Sequence, residues 1–263
     1  MSQVKEGKPS LSELKYLVER LFAVDFYKYM TGEAVLSSDQ KQALDKAVKE
    51  YSTGKPLEYI LQQAQFFGLD LKVDESVLIP RPETEVLVES LLAYIKVKEG
   101  LTLLDIGTGS GNIPVALSVN APDIRIISLD VSEPALRIAR TNISKYKCAN
   151  VLLIGADCLS CFKKRSFDII VSNPPYVESS YIDEETSLCY EPRVALDGAE
   201  DGLFFVTKIL DQAASYLKQE GRLFLEIGYD QSDKVIDCAS GKGWKIEKVV
   251  KDYAGIERVL VLM

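Results

Sequence analysis

From Leu101 onward, apolar runs of strand length alternate with segments of helix length, and that alternation leaves few folds open. Leu101-Thr102-Leu103-Leu104-Asp105-Ile106 is largely apolar on both faces and reads as a strand covered on both sides. Further strands are predicted over Ile124–Leu129, Val151–Ile154, Phe167–Val171 and Gly221–Ile227. Helices are predicted over Asn112–Val119, Glu133–Tyr146, about Gly202–Leu217, and near Ser232–Ala239. Alternation of this kind needs crossover connections and builds a doubly wound α/β sheet with helices on both faces. The closing segments Trp244–Val250 and Arg258–Leu262 are joined only by the turn around Asp252 to Gly255. That turn is too short for a crossover, so this pair is expected to be antiparallel.

The part before Leu101 has a different periodicity. Ser10 with Glu13, and Ser37 with Gln40, have the spacing of capping boxes. Leu11, Leu14, Leu17, Val18, Leu21 and Phe22 follow the first box at helical spacing, and Ala43, Leu44, Ala47, Val48 and Tyr51 follow the second. Thr53-Gly54-Lys55-Pro56 breaks the second helix, and Leu57–Gln63 is a short third one. These stripes are expected to close a small helical core. Phe66 to Val73 then alternates, and Val77-Leu78-Ile79 follows a polar turn, which suggests a linking hairpin. A stiff segment, Pro80-Arg81-Pro82-Glu83-Thr84-Glu85, feeds a helix from about Glu83 to Lys96. The expected domains are 1–64 (helical), 65–82 (linker) and 83–263 (α/β).

At the end of the first strand of the α/β part stands Asp105-Ile106-Gly107-Thr108-Gly109-Ser110-Gly111. Glycines let the backbone turn sharply and come close to a ligand. The spacing is G-x-G-x-G rather than the dinucleotide G-x-G-x-x-G. Asp130 ends the second strand, where an acid can hold ribose hydroxyls. Asp157 follows the third strand and either meets an adenine amine or is a solvated loop acid. A nucleoside-bearing cofactor is expected, with NAD and S-adenosylmethionine as the two candidates.

Asn173-Pro174-Pro175-Tyr176 ends the fourth strand of this part. Two prolines lack ladder donors, so the chain leaves the sheet here. It leaves with an amide, two rigid carbonyls and an aromatic ring in fixed relation. The Asn173 oxygen and a proline carbonyl can accept the two hydrogens of a planar NH2 group, and the Tyr176 ring can cover its face. Such a grip makes sense opposite a methyl donor and not opposite a nicotinamide.

Composition excludes other chemistries. There is no histidine, which removes the commonest general base and most zinc sites. The net charge of −8 argues against a basic nucleic-acid footprint. Five cysteines lack framework spacing, and Cys158-Leu159-Ser160-Cys161 is a lone C-x-x-C, so reduced, incidental thiols are expected. No apolar stretch approaches the ~20 residues of a membrane span, and the polar N-terminus lacks a secretion signal, so a cytoplasmic protein is expected.

The chain resembles the HemK/PrmC protein-(glutamine-N5) methyltransferases of peptide chain release factors. The likeness runs from the front helices to the C-terminus, through Gly54-Lys55-Pro56-Leu57-Glu58-Tyr59-Ile60, Leu78 to Glu85, Asp105 to Gly111, Ser172 to Tyr176, Glu191 to Gly198 and Leu225-Glu226-Ile227-Gly228. The tetrad alone is shared with adenine-N6 methyltransferases, whereas the segment Ile79 to Glu85 is narrower. The resemblance implies a Rossmann-like class I methyltransferase domain with a mostly parallel seven-stranded sheet and an antiparallel C-terminal strand, behind a substrate-recognition domain.

It further implies S-adenosyl-L-methionine at Gly107, Thr108, Gly109, Gly111, Asp130 and Asn173, with Ser110, Asp157 and Cys158 beside them and S-adenosyl-L-homocysteine as product. It implies that Asn173, Pro174, Pro175 and Tyr176 hold the glutamine of a Gly-Gly-Gln loop. Arg81 and Glu83 are expected either to touch substrate or to pair as ions between domains. Glu191 and Arg193 are expected to brace the loop after the tetrad. Gln62, Cys158 and Ala199 depart from the common pattern. The implied partner is a class I release factor and the implied state a monomer without stable nucleic-acid binding. A ribosomal-protein glutamine methyltransferase and, further off, an adenine-N6 methyltransferase are the alternatives.

Overall fold

The structure is a computed structural model that describes residues 7–157, 159–182 and 187–263; of Ser187 only the backbone is described. Cys158, expected at the adenine and in the C-x-x-C pair, lies outside the described residues.

Four short helices open the chain: α1 (Leu11–Phe22), α2 (Phe26–Thr31), α3 (Ser38–Ser52) and α4 (Leu57–Leu61). Both predicted capping boxes form, with Ser10 and Glu13 closing α1 and Ser37 and Gln40 closing α3. Leu17, Val18, Phe26, Leu36, Leu44 and Ala47 make the small core of this part. Helix α2 is absent from the sequence reading. Its six residues are too few for a periodic signal, and Asp25 starts it by accepting from the Lys28 amide.

The hairpin lies earlier than expected. Its strands are β1 (Gln63–Phe66) and β2 (Leu69–Lys72), and Val77 to Ile79 forms no strand. The turn residues Phe67 and Gly68 both have positive φ, 51° and 73°, so two residues suffice to reverse the chain. Alternation across residues 66–73 therefore mixes one arm, the turn and the other arm. Val77 and Ile79 are instead buried against Tyr59, Ala135 and Ile138.

The α/β part comprises α5 (Pro82–Ile95), β3 (Thr102–Ile106), α6 (Asn112–Asn120), β4 (Arg125–Asp130), α7 (Glu133–Lys145), β5 (Val151–Gly155), β6 (Phe167–Ser172), α8 (Phe204–Tyr216), β7 (Leu217–Glu226), α9 (Ser232–Gly241), β8 (Ile246–Lys251) and β9 (Glu257–Leu262). Seven strands form one sheet in the order β5-β4-β3-β6-β7-β9-β8. Strands β3 to β7 pair in parallel, and β9 is antiparallel to both β7 and β8. The expected seven-stranded sheet and its antiparallel C-terminal strand are thus both present. One apolar core lies under α5 and α6, and a second under α8 and α9.

The strand order turns back at β3, which has β4 on one side and β6 on the other. Ligands of open α/β sheets bind outside the carboxyl ends of strands at such a switch point. The hairpin is tied to this end. Buried Asn142 of α7 accepts from the Lys72 amide at 2.7 Å and donates to the carbonyls of Lys72 and Ser110 at 2.9 and 2.8 Å. Among the described residues no helix is long and apolar enough to cross a membrane.

Candidate active site

The register of β3 against β6 pairs Ile106 with Ser172. The next residues, Gly107 and Asn173, therefore leave adjacent strands at the same level. The Ser172 hydroxyl donates to the Ile106 carbonyl at 2.8 Å and locks that level. The glycine loop and the tetrad thereby become two walls of one cavity of about 270 Å³, near the lower end of small-ligand sites.

Gly107 and Gly109 both adopt positive φ, 76° and 54°, and a Cβ on either would meet no atom within 4 Å. The loop thus presents bare backbone to open space. Its curvature is held from behind: Asp130 accepts the Gly109 amide at 2.8 Å with one oxygen and the Ser132 amide at 2.9 Å with the other. A carboxylate has about four acceptor sites, so Asp130 retains capacity for hydroxyls in the cavity it lines. Exposed Val131 and buried Leu159 add apolar wall. Asp157 lines the cavity too, and its carboxylate pairs with Lys208 of α8 at 3.2 Å.

Below the loop, Asp105 is completely buried. Neither of its carboxyl oxygens has a hydrogen-bond partner of good geometry. Burial pushes its pKa from 3.8 up to about 7, and the nearby hydroxyls of Thr108 and Ser128 offset only part of that cost.

Asn173, Pro174 and Pro175 line the cavity. The Asn173 amide nitrogen donates to the Thr84 hydroxyl at 3.0 Å. Tyr176 stands outside the cavity wall, with its hydroxyl 3.5 Å from Glu226 at the end of β7. Glu226 is fully buried, and burial raises its pKa from 4.5 to about 7 against the opposing pull of Thr84 and Arg258. Burial likewise raises the Tyr176 phenol. The tetrad is held from the far side by Gln231, whose side chain donates to the Tyr176 carbonyl at 3.0 Å and accepts the Gly228 amide at 2.9 Å. Gly202 is confined here, since a Cβ would meet the Tyr176 carbonyl and the Gln231 amide at 2.5 Å each.

Arg81 lines the cavity but does not pair with Glu83. It bonds Glu191, whose side chain is 3% exposed and also accepts the Ile79 amide at 3.1 Å. Glu191 therefore straps the segment before α5 to the loop after the tetrad. Arg193 pairs with Asp197 at 2.9 Å within that loop. Glu83 faces Arg258 at 3.9 Å, a loose contact.

Of the residues singled out from sequence, Gly107, Thr108, Gly109, Ser110, Asp130, Asp157, Asn173, Pro174, Pro175 and Arg81 share the cavity. Gly111, Tyr176 and Glu83 lie off its wall. Sequence reasoning assigned no role to Thr84, Glu226 or Gln231. Thr84 and Glu226 fall inside quoted segments, but their partners are 89 and 50 residues away. Lys208 and Gln212 of α8 also went unnoticed, as polar residues on an amphipathic helix carry no signal of their own.

Residues 82–188 match the methyltransferase small domain family. The release factor glutamine methyltransferase of Thermodesulfovibrio yellowstonii is 37% identical over 257 residues, covering 96% of this chain and 92% of that protein. The protein of the same name from Streptococcus pneumoniae is 38% identical over 260 residues, covering 98% and 92%. Among solved structures, a methyltransferase from Pyrococcus furiosus aligns with a TM-score of 0.55 at 20% identity, over 86% of this chain and 98% of that one. At that identity the likeness shows the fold.

Proposed function

The chain belongs to the release factor glutamine methyltransferase family, and from that premise we propose that it methylates the side-chain amide nitrogen of the glutamine in the Gly-Gly-Gln motif of class I release factors. The observation that carries this reading is the paired register of Ile106 and Ser172, which sets an amide-bearing tetrad against a bare glycine loop across one cavity.

S-adenosylmethionine fits the residues present. Gly107 and Gly109 leave backbone open to a close ligand. Asp130 has spare acceptor capacity for ribose hydroxyls, and Val131 and Leu159 offer apolar wall for a flat base. When bound, the cofactor supplies an electrophilic methyl group on a good leaving group. The protein's own task is alignment. Asn173 and the Pro174 carbonyl accept the two amide hydrogens of the substrate, directing the nitrogen into the cavity. Tyr176, next in the chain after the wall-forming prolines, packs on the amide plane, with Pro175 as a neighbour. Positioning of this kind is worth up to roughly 7–11 kcal/mol of barrier. No base is needed beforehand, because the nitrogen becomes strongly acidic only once alkylated. Arg81 acts as a brace for the entrance, through Glu191, and Glu83 supports the site from the Arg258 side.

In this reading residues 1–64 recognise the release factor, 65–82 link, and 83–263 carry catalysis, with the enzyme acting as a cytoplasmic monomer. Asn173→Ala should lower transfer by at least a hundredfold while the fold survives. Mass spectrometry of the Gly-Gly-Gln peptide, after incubation of release factor with enzyme and S-adenosylmethionine, checks both points. Unmethylated glutamine with native enzyme, or label on DNA or ribosomal protein in its place, would sink the proposal.

A further inference from the structure

The tetrad's asparagine has a chemical ambiguity that its role cannot tolerate. A side-chain amide has an oxygen that accepts and a nitrogen that donates, and the two are nearly the same shape. Only the oxygen can hold an NH2 group. Rotating the amide by half a turn would aim two donors at two donors, so something must fix its orientation.

The neighbours of Asn173 supply the fixing element. Its nitrogen donates to the Thr84 hydroxyl at 3.0 Å. Thr84, in the first turn of α5, is 1% exposed, so water does not compete for that hydroxyl. The same hydroxyl lies near the Glu226 carboxyl and favours its ionised form, against the larger effect of burial. Glu226 is itself fully buried, with the Tyr176 hydroxyl 3.5 Å away. A hydroxyl has one proton to give. In the observed bond the Thr84 hydroxyl spends a lone pair on the Asn173 nitrogen and keeps its own proton turned away from it. Asn173 thereby turns its nitrogen to Thr84 and its oxygen away.

We propose that Thr84 is a positioning residue that fixes the Asn173 amide with its oxygen facing the substrate nitrogen. This rests on the proposed glutamine methylation. Thr84 borders the cavity, but its hydroxyl is engaged by Asn173, and it acts through that residue.

The test compares Thr84→Val, Thr84→Ala and Thr84→Ser with the native enzyme, using release factor as substrate. Calorimetric titration with S-adenosylhomocysteine and the thermal midpoint report the cofactor site and the fold. Thr84→Val and Thr84→Ala are expected to lose about a hundredfold in kcat, as a misplaced acceptor does, with S-adenosylhomocysteine affinity within about threefold of native. Thr84→Ser, which keeps the hydroxyl and drops the methyl, should recover most of the turnover. A role in packing alone predicts the reverse order, with Ser no better than Ala. Equal turnover for Ser and Ala, or native turnover for Val, overturns the proposal, and the Ser–Ala comparison stands even if Val fails to fold. Absence of transfer by the native enzyme would instead overturn the parent reading, and this one with it.

Discussion

Asp105 should make the protein less stable as pH rises, and Asp105→Asn should remove that dependence. The carboxyl is fully buried without a well-aligned partner, and its pKa rises from 3.8 to about 7. Between those values the folded state keeps a proton that the unfolded chain releases. Folding stability therefore falls with increasing pH in this window, by ~1.4 kcal/mol per pH unit where the difference is one full proton. The favourable contribution of the protonated form is complete below about pH 4 and is lost by the time pH passes about 7. Integrated to pH 8, the cost reaches ~4 kcal/mol; at pH 5 it is only ~1.5 kcal/mol.

The asparagine variant carries no such proton. It also carries an offset of its own, from an amide near the Thr108 and Ser128 hydroxyls, but that offset does not titrate. Glu226 titrates in the same range in both proteins and cancels in the comparison. Relative to native, Asp105→Asn should thus gain about 2–3 kcal/mol on going from pH 5 to pH 8. Urea denaturation of the cofactor-free protein at the two pH values measures this, with equal slopes as the check that compactness is unchanged. A difference that stays constant with pH, or shrinks as pH rises, would refute the buried, uncompensated carboxyl.

Gly109→Val should weaken S-adenosylhomocysteine binding at least a hundredfold in calorimetric titration, because its side chain projects into cavity space that a Cβ now leaves open. The same change forces a β-branched residue to positive φ, at about 1–3 kcal/mol in urea denaturation. Arg81→Ala should destabilise by about 2–3 kcal/mol, below the ~3–5 kcal/mol for breaking a fully buried pair, since Glu191 stays buried while Arg81 is partly exposed; an unchanged urea midpoint would dismiss the strap between α5 and the tetrad loop.

Much of the frame was legible because it is local. The capping boxes of α1 and α3 are four-residue statements, and both form as read. Sheet strands fell within a few residues of expectation, since a run buried on both faces leaves no other use for its side chains. The antiparallel ending followed from a turn too short to hold a helix. The hairpin's misplacement was also local in cause: β1 and β2 share a period with the turn between them, so the alternation points to a second arm at Val77 to Ile79 that does not form. The site was legible only in part for another reason. Gly107, Asp130 and Asn173 announce themselves by type and position after strands. Thr84, Glu226 and Gln231 are ordinary residues whose meaning lies in partners brought near by the sheet, and no spacing along the chain reports that.

Those three supports explain why a tetrad outside regular structure can hold its geometry. They come from the first turn of α5, the end of β7 and the entry to α9, so that a sheet strand and helices from its two faces all contribute. Each bonds a different part of the tetrad: the Asn173 side chain, the Tyr176 hydroxyl and the Tyr176 carbonyl. The anchoring is not free. Glu226 and Asp105 are both fully buried near the carboxyl ends of their strands, where burial raises their pKa values to about 7. Buried acids of this kind subtract from stability, and replacing them would strengthen the fold. Their location marks where this chain gives up stability: one carboxyl lies under the glycine loop and the other under the tetrad, so the cost is concentrated beneath the two walls that must face each other for a methyl group to cross.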